Sequence, residues 1–60
     1  MLKLISHVKL GMILYTVVYS NCKGEVEWKD FWSEEHARAY ASRNFPKVLY
    51  RELQLINLEA

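Results

Sequence analysis

Between positions 12 and 20 the apolar residues do not keep to one parity. Ile13, Tyr15, Val17 and Tyr19 occupy the odd positions and Met12, Leu14 and Val18 the even ones. The β-branched and aromatic content of this run predicts a strand with two apolar faces. Asn21, Cys22, Lys23 and Gly24 then read as a type I turn. The asparagine can bond its own backbone, and the glycine supplies the positive φ of a bulged hairpin. Residues 25–32 alternate as a returning antiparallel strand, with Val26, Trp28 and Trp32 on one side and Glu25, Glu27 and Lys29 on the other; Phe31 interrupts the polar set.

Ser33 stands where a helix N-cap belongs, and Glu34 and Glu35 suit the positive end of a helix dipole. Ala37, Tyr40, Ala41 and Asn44 recur at helical spacing as a narrow stripe to be buried. Glu34, Arg38, Ser42 and Arg43 point to water, with Glu34 and Arg38 spaced for an ion pair. Asn44 reads as a left-handed stop, and Pro46 forbids continuation. Residues 47–58 read as a last strand, with a short helix from about position 49 as the alternative. Residues 2–10 satisfy both periods and fit a strand, a helix or an upstream extension; Gly11 separates them from the apolar run that begins at Met12.

The expected fold is therefore α+β. A small antiparallel sheet, made of a β-hairpin and a final strand with room for an extra N-terminal strand, carries one helix packed on one face, all within a single domain. If Asn21 and Glu25 flank the turn, Val18 lies opposite Trp28. Met12, Leu14, Val18, Val26, Trp28 and Trp32 then share one sheet face, and Ile13, Tyr15, Val17, Tyr19 and Phe31 share the other. One helix covers one face only. The two tryptophans are expected in the core, which leaves Tyr15, Val17, Tyr19 and Phe31, with Lys29 beside them, as the surface available to a partner.

Size sharpens this imbalance. A chain of 60 residues buries only about 60% of the surface its unfolded form exposes, so such domains usually need a staple. The lone Cys22 cannot close a disulfide within the chain, and His7, Cys22 and His36 lack zinc-ligand spacing. Self-association or a partner protein is what remains. A net charge of +1 is no footprint for nucleic acid. Residues 1–24 carry three lysines and no acid, and residues 25–60 carry seven acids against five basic residues. The apolar run 10–19 follows Lys3 and Lys9 as in a signal peptide, yet Asn21 does not suit a cleavage site. As a helix of about 1.5 Å rise per residue, that run spans only half of a ~30 Å hydrocarbon core. No membrane association is expected, and a cytoplasmic location follows from the same features.

Catalysis is not expected. Cys22 belongs to a hairpin tip, and His36, beside Glu34 and Glu35, to a first helical turn, so nucleophile and base have no reason to meet. No metal site, cofactor or small-molecule substrate is expected. The function anticipated is a non-enzymatic interaction module that binds and inhibits or modulates another protein, or pairs with its own copy, through Tyr15, Val17, Tyr19, Phe31 and Lys29. Arg38 and Arg43 would add a small basic surface on the helix. Compact, cysteine-poor accessory regulators of this type include those that viruses and mobile elements encode. The alternative is a binder of single-stranded nucleic acid that stacks bases on the same aromatic face, with Glu27 and the low charge against it.

Overall fold

Two hairpins in succession build most of the sheet. In the computed structural model, which describes residues 2–45, 47 and 53–58, the first strand β1 (Leu2–Lys9) turns through Leu10 and Gly11 into β2 (Met12–Ser20). Both turn residues have positive φ, 54° and 77°, the pattern of a two-residue type I′ turn, whose twist matches that of the flanking strands. Lys9 faces Met12 and Leu2 faces Tyr19 across the pair. Of residues 2–10, which fitted two periods in the sequence, 2–9 are thus committed to a strand and Leu10 to the turn.

The second turn follows from Asn21. Its carbonyl accepts the Gly24 N–H at 3.0 Å, and its own N–H donates to the Glu25 carbonyl at 2.9 Å. Its side-chain Oδ1 accepts the N–H groups of Lys23 and Glu25 at 2.8 and 3.0 Å. Gly24 takes φ of 81°, free of the Cβ clash that a left-handed backbone imposes on other residues. The register of β3 (Val26–Phe31) places Val18 opposite Trp28 and Tyr15 opposite Phe31, as the alternation predicted.

The helix α1 (Glu34–Asn44) starts at Ser33, whose hydroxyl accepts the His36 N–H. It does not stop as expected. Phe45, at φ −130°, is the C-cap and bonds the Ala41 carbonyl. Asn44 stays within the helix, exposed, and its side-chain amide donates to the Tyr40 carbonyl. A final strand, β4 (Leu55–Leu58), pairs with β1 in parallel register, which makes the sheet mixed, in the order β3-β2-β1-β4. The expectation of strand or helix over residues 48–52 lies outside the described residues.

This order decides which face the helix covers. β3 and β4 run in the same direction at opposite edges of one sheet, so α1 is the crossover between parallel strands, and such crossovers are right-handed in nearly all proteins. The helix lies on the face that carries Leu4, Val17, Tyr15 and Tyr19. Ala37 and Ala41, both without exposed surface, let the helix approach closely, and Leu4, Val17 and Leu53 fill the space beneath it. Aromatic rings complete the seam: Tyr19 against Phe45 and Phe31 against Tyr40, with centroids 5.2 and 5.3 Å apart. These are ordinary separations for tilted ring pairs.

The expected division of core and surface is therefore inverted. Val17 has no exposed surface and Tyr15, Tyr19 and Phe31 are half-buried against the core, whereas Trp28 and Trp32 are exposed. Trp28 follows the face that the crossover leaves open, and Trp32 lies just past the end of β3.

Candidate functional site

The uncovered face is built from alternate residues of all four strands. Register rows across it run Asp30, Thr16, Ile5, Ile56 and Trp28, Val18, Lys3, with Leu14, His7 and Leu58 in the next row. Trp28 retains 65% of its surface and Val26, Ile56 and Leu58 are also exposed. Leu14 is buried among its neighbours with no second layer above it. Within the face lies a shallow depression of about 290 Å³, walled by Trp28 and Leu58 and floored by Ile5, Leu14 and Thr16.

Polar groups share this face, most of them on β1. The Thr16 hydroxyl donates to the Asp30 carboxylate at 2.7 Å, so the carboxylate already has a partner where apolar side chains surround it. His7 and Lys9 line the depression from β1, and Lys3 stands beside Val18. The apolar surface continues round the β1–β2 turn, where Val8, Leu10, Met12 and Ile13 are all exposed. These side chains flank the turn, and among the described residues α1 does not shield them.

The residues expected to meet a partner are distributed otherwise. Tyr15, Val17, Tyr19 and Phe31 face α1. Lys29 is exposed on the helix side of β3 with its ammonium 5.2 Å from the Tyr40 ring centroid, within range of a cation–π contact. Arg38 does not simply point to water. Its guanidinium donates to Glu34 at 2.9 Å, the expected ion pair, and to the Leu53 carbonyl at 2.6 Å, which ties the segment before β4 to the helix. Arg43 is exposed in the last helical turn. The residues missed in the sequence are Ile5, Val18, Ile56 and Leu58 as members of the uncovered face, and with them Trp28. Their parity was legible, but the side of the sheet that stays open was not.

The groups considered for chemistry are not assembled. His7 lies on the uncovered face, Cys22 is exposed in the β2–β3 turn, and His36 is exposed on the helix across the sheet. Among the described residues no cluster of three His, Cys, Asp or Glu side chains could hold a metal ion, and no helix is long and apolar enough to cross a membrane. Among the described residues one titration is displaced. The hydrogen bond between the Tyr19 and Tyr40 hydroxyls, 3.3 Å apart, together with desolvation and the nearby Tyr40 and Glu27 charges, pushes Tyr19 up to about 12. That pair belongs to the helix–sheet seam and not to the open face.

No family model matches the chain, and searches of curated proteins and of solved structures returned no match.

Proposed function

We propose that the chain is a non-enzymatic protein-interaction module whose working surface is the sheet face turned away from α1. The observation that supports this most is Trp28, a tryptophan 65% exposed at the wall of an apolar depression. Tryptophan is the commonest energetic anchor of protein interfaces, and it acts from within a patch that sheds water on contact. Apolar side chains from all four strands meet on this face, and a contiguous patch points to an interaction site where scattered exposure does not.

The charge on this face selects the class of partner. Lys3 and Lys9 outnumber Asp30 by a single charge, too little to supply the field that draws in a polyanion, and the tyrosines that could have stacked bases lie under the helix. A partner with matching apolar relief fits better, and docking on this face would hold or occlude it, the basis of an inhibitory or modulatory role.

Photo-cross-linking tests the reading. A benzoylphenylalanine placed at position 28 in cells that express the protein is expected to form protein adducts, and the same group at Ala39, on the exposed side of the helix, is not. Equal yields at the two positions, or none at position 28, would overturn it.

A further inference from the structure

We infer that the occupant of the uncovered face is a second copy of this chain, the two sheets packing face to face with their helices outward. This rests on the docking reading above and gives it a partner.

Area favours such a pair. The molecule is a slab of 34 × 24 × 14 Å, and this face lies on its broad side, the one side large enough to approach the ~800 Å² per partner of a standard stable interface. Two such sheets stack about 10 Å apart, as in β-sandwiches. Smaller surfaces of the molecule, such as the β1–β2 turn, do not reach this size.

Shape favours it as well. A two-fold interface must be complementary to itself, and this face presents a protruding indole beside a depression of about 290 Å³. Rotation about an axis lying between the sheets sets the Trp28 of each copy toward the depression of the other. The Thr16–Asp30 hydrogen bond has already satisfied the carboxylate that this contact would bury, which lowers the cost of desolvating it.

The small core adds a need for cover. Among the described residues six hydrophobic side chains are buried and two of these are alanines, so few large side chains fill the described core. A second sheet would complete it. Pairing through the β3 edge is not the route, because Glu25, Glu27, Lys29 and Asp30 place charges along that edge, which disfavour the approach of another strand.

Sedimentation equilibrium in reductant, which keeps the exposed Cys22 from forming a disulfide, tests the inference from about 1 µM to about 1 mM. The expected result is a species of twice the 7.1 kDa chain mass. Trp28→Glu and Leu58→Lys, on opposite edge strands of the same face, should each weaken association by about 30-fold or more, the loss typical of an interface anchor, with unchanged circular dichroism. Ala39→Glu should leave it intact. Using both variants keeps the test decisive if one of them fails to fold. A 7.1 kDa species throughout the range, open-ended growth in mass, or a dimer indifferent to folded variants would overturn the inference. If the chain stays single while position 28 still cross-links to another protein, the second copy is excluded and the docking reading stands. If position 28 yields no adduct, both fail.

Discussion

Leu10 should be a stabilising position to replace. It occupies the first place of the β1–β2 turn at φ 54°, in the left-handed region where an L-residue is destabilised by about 1–2 kcal/mol because Cβ crowds the following carbonyl. The side chain is 90% exposed, so little packing opposes the change. Leu10→Asn keeps the geometry with a residue that tolerates it and should add about 1 kcal/mol. Leu10→Gly should gain less, since glycine also loses more freedom on folding. Leu10→Val should lose stability, because a β-branched side chain is worse still at positive φ. For a domain of this size 1 kcal/mol corresponds to about 4–8 °C in Tm. Thermal unfolding followed by circular dichroism, at one fixed protein concentration so that association contributes equally, reads the difference. An Asn variant that melts at or below the unmodified protein, or a harmless Leu10→Val, would refute the reasoning and mean that leucine is held there by contacts.

The remaining predictions concern the seam between helix and sheet. Arg38→Ala removes the bonds to Glu34 and to the Leu53 carbonyl and should cost about 2 kcal/mol in urea unfolding; Arg38→Lys should restore little, because one ammonium lacks the guanidinium fork. Leu4→Ala, at a side chain with no exposed surface, should cost about 2–5 kcal/mol, close to the whole stability of so small a domain, and leave the chain largely unfolded by circular dichroism. Asn21→Ala deletes the side-chain oxygen that holds the N–H groups of Lys23 and Glu25 and should cost about 1 kcal/mol. Tyr19 is raised from 10.0 to about 12, so its neutral form is the one the fold favours. The stability contributed by this shift is present in full below pH 10 and is lost as pH rises toward 12. Tyrosinate absorbance should show one late-ionising tyrosine whose step moves earlier in Tyr40→Phe; an unchanged titration in that variant would remove the hydrogen bond as its cause.

Local chemistry was the part of the fold that could be read from the chain. Asn21 and Gly24 define their turn within five residues, Ser33 caps the helix three residues downstream, and Glu34 reaches Arg38 one turn on, so each needs no knowledge of distant structure. The α+β class and the Val18–Trp28 register follow from the same short-range signals. The choice of covered face did not, because β2 is apolar on both parities and the alanine stripe of the helix suits either. That choice depends on β4 lying beside β1 at the far edge, which makes α1 a crossover and lets backbone chirality decide. Hydrophobicity alone favoured burying Trp28, and the side taken by the crossover left it exposed. Residues 2–10 were ambiguous for a related reason. Their turn uses a leucine at positive φ, where Gly or Asn is the usual signal.

If the Trp28 face is bare in one chain and covered in two, the indole itself reports the change. Acrylamide quenching of Trp28 fluorescence in a Trp32→Phe background, followed from about 1 mM down to about 1 µM, measures it directly. The dilute single chain should show an accessible, red-emitting indole that becomes protected and blue-shifted as copies associate. An indole already shielded in the single chain, or equally open at every concentration, would contradict the pairing of the two faces.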